Sequence, residues 1–477
     1  MKARPSRPPA WARFRFHGPG GHEELDERMI KPLPCLLMSG LLLVALAQSA
    51  AHARLAPRQP YAVPPVDAPE LAALGSYAIG TQSIAVDAPD SVMLAATGIS
   101  RSTRTIRARI WYPAEVAPGA LRTSFAHRLP KPDGTGGDFV ISSLAVDSAV
   151  PLKGRRFPLV VVSHGYNGWD TFMTWLTENL ASKGYVVVAI DHADQRATGP
   201  TALPVSFGNV LIHRARDVRL VLDDLIRRAA VPRDPLGHMI DAAQIGLVGY
   251  SMGGFGVLGA AGLDYAPASP VLDRLPPPAR AQLLESQTAG TSLAARIKAV
   301  VAIAPFGGSP DVRVWSEAAL GAFTKPVLII DGDQDDIVDA TGGVRWMFEH
   351  MGANERHFLL FQNARHNVGG NPPPAEAESD FSTREYFAEP VWWTERINAI
   401  NQHFITAFLD LNLKGDESKR AYLDVMPPLS RDGTWPLAPF QNVGGKPASS
   451  DQPSYWRGFQ RRWAVGLEMR SGHPTIR

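Results

Sequence analysis

An α/β fold with a mostly parallel central sheet is predicted by three features of the chain. The runs "PLVVVSHG" (158–165) and "YVVVAID" (185–191) are short and continuously apolar, as in strands buried on both faces of a parallel sheet. Segments of helical apolar spacing separate such runs repeatedly. Glycine-rich or polar motifs follow several of the runs directly, where open α/β sheets bind their ligands.

Taken in order, residues 54–75 are Pro/Ala-rich and read as a loose lead-in. In "TIRARIWYP", Ile106, Ala108, Ile110 and Tyr112 alternate with Arg107, Arg109 and Trp111. That period of two marks antiparallel strands over 76–112. Residues 113–156, rich in Gly, Pro and Ser, read as a long loop. A helix begins near Asp170, placing Met173, Leu176 and Leu180 on one face and stopping at Gly184. Another begins near Asn209, grouping Leu211, Val218, Leu222 and Leu225. Then follow strand "IGLVG", a glycine-rich helix, strands "IKAVVAIAP" and "PVLIIDG", a helix around 339–350 and strand "HFLLFQ". A last helix, 394–413, aligns Ile397, Ile400, Phe404, Phe408 and Leu411. Residues 264–294 interrupt the alternation as a small cap insertion. The α/β domain thus spans 54–430. The 431–477 extension, with "YWRGFQRRWAVGLEM", is too apolar to be a free tail and is expected to pack on it.

The 477 residues are 45% hydrophobic and 20% charged, with net charge +2. This composition suits a large globular core and argues against nucleic acid as a partner. Residues 29–53, "MIKPLPCLLMSGLLLVALAQSAAHA", combine Lys31, an apolar core and the small-x-small site Ala51-His52-Ala53, the pattern of a cleaved export signal. The core is too short for an ordinary membrane span, so no stable membrane insertion is expected after cleavage. Residues 1–28 are Arg/Pro/Gly-rich, and translation is expected to start at Met29. Cys35, the one cysteine, lies within the signal and ahead of its apolar core, so the mature chain would have neither thiol nor disulfide. The destination is periplasmic or secreted.

Four motifs carry chemistry. Gly249-Tyr250-Ser251-Met252-Gly253 is a G-x-S-x-G between a strand and a helix, a turn that exposes a serine hydroxyl. A serine needs a base, and the base an orienting acid. In "IIDGDQDDIV" Asp335 is the preferred acid, with Asp333 and Asp336 as rivals. A calcium loop there would need Gly and Glu where Asp336 and Gly342 stand, so no metal is expected. In "FLLFQNARHNVGG" His366 follows a strand in a polar loop and is the base, whereas His357 and His403 occupy unremarkable strand and helix positions. In "VVSHGYNG" (161–168) the Tyr166 amide, with that of Met252, would form the paired donors that acyl transfer requires. His164 is read as structural. Trp169, Trp392 and Trp393 are candidates for substrate contact.

These motifs resemble the α/β-hydrolase superfamily, and more finely its platelet-activating-factor-acetylhydrolase-like and dienelactone-hydrolase-like branch, which includes bacterial polyester hydrolases. The resemblance runs over about 75–415 through "VVVSHGYNGWDTFMTWLTENLASKGYVVVAIDH", "HRARDVRLVLDDL" and "VGYSMGGFGVLGA". It implies a Ser251–Asp335–His366 triad, an oxyanion hole at Tyr166 and Met252, structural roles for Arg214 and Asp217, and cofactor-free cleavage of carboxylic esters. Small esters, lipids and polyesters are the substrates it implies. A peptidase or amidase on the same fold, and an inactive exported binding module, are the rivals. Dehalogenase and epoxide-hydrolase chemistry needs a carboxylate where Ser251 stands. N-terminal sequencing of the exported protein is expected to begin near Arg54; residues 1–28 found intact on it would overturn the Met29 start.

Overall fold

The apolar runs become strands of one eleven-stranded sheet. A computed structural model describes residues 59–131, 135–194, 202–266, 268–289, 291–435 and 454–472. The signal, Met29 and Cys35 lie outside the described residues, as do 436–453 of the C-terminal extension.

β1 (Ile79–Ala95) and β2 (Gly98–Glu115) form a long antiparallel hairpin, as the alternating pattern predicts. The segment expected to be one long loop instead holds a second hairpin, β3 (Ser124–Arg128) with β4 (Asp138–Ser142), and the short strands β5 (Val146–Asp147) and β6 (Val150–Pro151). Phe125, Phe139 and Ile141 are buried there, an alternation masked by the Gly/Pro-rich linker between the strands.

The parallel core follows: β7 (Phe157–Ser163), α1 (Thr174–Ser182), β8 (Val186–Asp191), α2 (Leu203–Ala229), β9 (Ile240–Tyr250), α3 (Met252–Ala260), α4 (Pro277–Ala289), β10 (Ile297–Ile303), β11 (Val327–Gly332), α5 (Trp346–His350), β12 (Arg356–Phe361), α6 (Phe381–Phe387) and α7 (Thr394–Lys414). α2 starts earlier than the apolar spacing suggests because Pro204 suits a first helical turn, where no backbone N–H is needed. The helix expected around 339–350 opens with a π-helical turn, Ala340–Arg345, capped by the Asp339 carboxylate. β13 (Leu467–Gly472) closes the sheet antiparallel to β12. The strand order is β13-β12-β11-β10-β9-β7-β8-β2-β1-β5, with β6 beside β2. α1 and α7 pack together on one face, α2 and α3 on the other.

This order positions the site. The chain leaves β7 for β8 on one side and returns to β9 on the other, so the loops after β7 and β9 diverge and leave a crevice between them.

Residues 59–75 are not a loose lead-in. The Asn179 amide donates to Ala72 O (2.9 Å), Gln402 Nε2 to Ala62 O (3.2 Å), and the buried Lys183 ammonium to Leu71 O (2.5 Å) and Thr406 Oγ1 (2.8 Å). The Leu71 N–H donates to His403 Nδ1 at 3.1 Å. Prolines limit the freedom this segment loses on docking, and its carbonyls meet fixed donors. α4, within the insertion, packs on β1 and α2, where Gln282 accepts from the Val92 N–H (2.9 Å) and donates to Asp90 O (2.6 Å).

In the extension, Trp456 is fully buried with its ring edge-on to Phe404, and its indole N–H donates to Pro427 O at 2.8 Å. Trp456→Ala is expected to lower unfolding free energy by about 3–5 kcal/mol, the usual cost of emptying a buried aromatic site. Urea titration would measure it, and a loss below about 1 kcal/mol would mean the extension adds little to the core.

Candidate active site

Ser251 stands between β9 and α3 with φ 55° and ψ −116°. Such a conformation costs a residue with a side chain about 1–3 kcal/mol and persists only where the surroundings enforce it. Here its N–H donates to Ile303 O at the end of β10 (2.8 Å), and its carbonyl accepts from the N–H groups of Phe255 and Phe306, each at 3.2 Å. The glycines are a steric requirement. A Cβ at position 249 would lie 2.2 Å from Gly253 O, and one at 253 would lie 2.0 Å from Ser163 O.

His366, in the loop after β12, places Nε2 3.0 Å from Ser251 Oγ and Nδ1 2.6 Å from Asp335 Oδ2. The second Asp335 oxygen accepts from the N–H groups of Ile337 (2.8 Å) and Val338 (3.1 Å). Burial works against the Asp335 charge, but the His366 charge, its hydrogen bond and the loop N–H outweigh burial, and the carboxyl sits below its usual range. The tautomer follows: Nδ1–H donates to Asp335, and Nε2 is free to accept from Ser251. The rival acids are engaged elsewhere. Asp333 accepts from the Asn363 N–H (2.6 Å), and Asp336 pairs with Arg365 (2.6 Å) at the surface. His357 Nε2 donates to Glu355 and its Nδ1 meets Ser471 Oγ, and His403 is latched to Leu71. Among the described residues, no cluster of three or more His, Cys, Asp or Glu is arranged to hold a metal ion.

The 163–168 loop lies against the elbow: a Cβ at Gly165 would stand 3.5 Å from Ser251 Cβ. Buried Arg214 organises this loop from α2. Its guanidinium donates to His164 O (2.5 Å) and Gly165 O (3.1 Å) and pairs with Asp194, which also accepts from the Asn167 N–H (2.9 Å). The Gly165 carbonyl receives His164 Nδ1–H as well, at 2.6 Å. Carbonyl and N–H of one trans peptide point in opposite directions, so fixing Gly165 O toward Arg214 turns the Tyr166 N–H away from it. The Met252 N–H is the first of α3 and has no acceptor within the helix.

Asp217 does not pair with Arg214. It accepts from Arg104 (2.9 and 3.1 Å) and from His192 Nδ1 (3.0 Å), while His192 Nε2 meets Ser163 Oγ at 2.8 Å. Burial opposes the Asp217 charge, but the His192 and Arg104 hydrogen bonds hold it far below the carboxylate range. His164, with its Nε2 accepting the His192 N–H at 3.3 Å, is pushed well below its ordinary value by burial and by the Arg214 charge. Both features suit a scaffold rather than a proton carrier.

The tryptophans are not gathered at Ser251. Trp169 packs among His127, Phe139, Phe172 and Phe387. Trp392 and Trp393 line a surface pocket of about 540 Å³ with Arg396, Trp463 and Val465, a pocket that contains no triad residue. The aromatic groups that do adjoin the elbow include two that sequence reasoning missed. Phe306 bonds Ser251 through its backbone, Phe207 stands edge-on to it at 5.3 Å, and Tyr166 faces Phe207 at 6.2 Å. Asp194 and His192 were also missed, although both follow a strand end directly, the signal that singled out the other motifs.

Arg214→Met is expected to cost about 3–5 kcal/mol of stability by leaving Asp194 buried without its cation. In folded protein it is expected to lower kcat for a p-nitrophenyl ester about 10–100-fold with little change in KM, as the Tyr166 peptide is released. Chemical denaturation and steady-state kinetics measure the two effects separately.

Residues 151–268 match the family described as PET hydrolase-like. Cutinase est1 of Thermobifida alba is 30% identical over 145 residues, 30% of this chain and 41% of that protein. Bis(hydroxyethyl) terephthalate hydrolase of Streptomyces coelicolor is 32% identical over 132 residues, 26% of this chain and 37% of that protein. The chain thus spans less than half the length of these curated relatives. A ferulic acid esterase from Streptomyces cinnamoneus superposes with TM-score 0.47 at 20% identity, covering 75% of this chain and 94% of that one. By strand order, elbow and the chain order Ser251, Asp335, His366, the protein has the α/β-hydrolase fold, and its elbow region is similar to the polyester-hydrolase branch of that superfamily.

Proposed function

We propose that the protein is a serine hydrolase that cleaves carboxylic esters through an acyl-enzyme. The observation that carries this reading is the continuous relay Asp335–His366–Ser251, ending on a hydroxyl held out by a strained turn. His366 Nε2 takes the Ser251 proton as Oγ attacks the ester carbonyl. The imidazolium that forms is steadied by the ionised Asp335 and then protonates the departing alcohol. Water repeats the cycle on the acyl-enzyme. The N–H groups of Tyr166 and Met252 would receive the negative charge on the carbonyl oxygen, each supplying about 3–4 kcal/mol of barrier lowering. No step calls for a cofactor.

Tyr166, Phe207 and Phe306 form a chain of ring contacts that reaches Ser251 through the Phe306 N–H, surroundings that suit an apolar or aromatic acyl group. Similarity to proteins named cutinase and bis(hydroxyethyl) terephthalate hydrolase supports esters of the polyester kind. The expected export signal is consistent with a substrate too large to enter a cell. No helix among the described residues is long and apolar enough to cross a membrane.

A fluorophosphonate probe is expected to label the wild type and not Ser251→Ala. Turnover of p-nitrophenyl acetate is expected to fall about a millionfold in Ser251→Ala and about ten-thousandfold in Asp335→Asn. A series of p-nitrophenyl esters of rising acyl length, run beside a polyester film, a phospholipid and an anilide, sizes the acyl pocket and separates esterase from amidase. Equal labelling of Ser251→Ala would defeat the proposal.

A further inference from the structure

Asp331, the penultimate residue of β11, is the acidic group of this region that the relay leaves unexplained. Its side chain is entirely buried. One oxygen accepts from the Gly332 N–H at 2.9 Å, and the other, also buried, receives no protein donor. The Asp331 and Asp335 carboxyls lie close enough to act on each other, on a loop where the Asp335 N–H returns to Gly332 O at 3.2 Å. Two carboxyl groups can share a hydrogen bond only if one of them carries a proton.

The surroundings decide which. Asp335 faces His366 Nδ1 and the N–H groups of Ile337 and Val338, three donors that want an ionised acceptor. Among the described residues Asp331 has a single backbone donor and no ion pair. Ionisable groups that act on it include Asp333, on its own loop, and Tyr250, from β9; Asp333 disfavours a second negative charge and Tyr250 offers none to balance it. From this geometry we infer that Asp331 is a protonated carboxylic acid that donates its O–H to Asp335, a positioning residue fixing the triad carboxylate from behind. Burial, with the Asp335 charge adding to it, pushes the Asp331 carboxyl well above its usual range, in the same direction.

Asp335 would then be held by four donors: two backbone N–H groups, the imidazole and the Asp331 hydroxyl. Its rotation toward or away from His366 is restricted, and its charge is stabilised without a cation that would compete with the imidazolium.

The inference rests on the proposed triad, and Ser251→Ala separates the two: if that variant keeps full turnover, the triad reading fails, whereas the measurements on Asp331 stand or fall by themselves. Asp331→Asn is nearly isosteric, donates to Asp335 through its amide, and still accepts from Gly332. At neutral pH, the infrared difference spectrum of wild type minus Asp331→Asn is expected to show the carbonyl stretch of a protonated carboxylic acid. Because an acid that stays neutral in the fold ionises in the unfolded chain near pH 4, wild type loses stability relative to the variant as pH rises from about 4 toward the folded-state value. The Tm advantage of Asp331→Asn should therefore grow as pH rises above about 4. Asp331→Asn is expected to keep kcat within about threefold, and Asp331→Leu, which cannot donate, to lose about tenfold with KM little changed, as for one hydrogen bond to a charged group. A carboxylate band in place of the acid band, or a Tm difference that shifts toward wild type with rising pH, would overturn the assignment; so would an Asp331→Leu enzyme as active as wild type.

Discussion

The backbone at Ser251 governs the arrangement of everything around it. A residue with a side chain at positive φ relaxes unless it is trapped, and this one is trapped on both sides of its peptide planes by β10 and the loop after it. The trap closes only because Gly249 and Gly253 allow the helix to start within contact distance of β7. Strain at the nucleophile is thus borne by the sheet: β9 and β10 must be paired in register before Ile303 O can meet the Ser251 N–H. The hydroxyl is exposed to the crevice because the strands behind it cannot move.

The same logic extends to the loop after β7, but with charge in place of sterics. Arg214, Asp194, Asp217, Arg104 and His192 are buried or nearly so, and burying them is expensive unless every partner is met. A hydrophobic filler of similar volume could support α2 equally well. It could not hold two successive carbonyls, those of His164 and Gly165, in a single orientation. The polar network makes sense as a device for direction, since the value of an oxyanion donor lies in where its N–H points before the substrate arrives.

Much of this was legible in the chain. The parallel strands announce themselves as continuous apolar runs, and the elbow, the acid loop and the histidine loop each follow such a run. Asp335 was already the preferred acid in the chain, but Asp333 and Asp336 stayed as rivals, because three carboxylates within four residues differ chiefly in which way the loop turns them. Short strands β3 and β4 were hidden by composition: five residues of alternation weigh little beside the glycines and prolines around them. The tryptophans were less legible for a related reason: Trp169 packs in an aromatic cluster, and Trp392 and Trp393 line a surface pocket without Ser251, Asp335 or His366. Large rings near strand ends can face the crevice or the core, and spacing along the chain does not distinguish the two. Phe207 and Phe306 carried no local signal, since their nearness to Ser251 comes from the helix start and the β10 loop meeting in space.

The surroundings of the proposed base differ from those of four buried histidines. His164, His192, His213 and His403 are all buried, and each is held below its ordinary value first by burial and then by a neighbouring cation: Arg214 for the first two, Arg104 and Lys183 for the others. Even the Asp217 carboxylate beside His192 is shared with Arg104. These rings are locked as neutral hydrogen-bonding fixtures. His366 differs in kind. Its side chain keeps 15% of its surface open, its bonded partner is the carboxylate of Asp335, and no arginine or lysine forms an ion pair with that carboxylate. A base must be able to become a cation in place. In the proposed mechanism His366 is the base because its Nδ1 is bonded to the Asp335 carboxylate while its Nε2 reaches Ser251 Oγ, a pair of contacts that the four buried rings do not make.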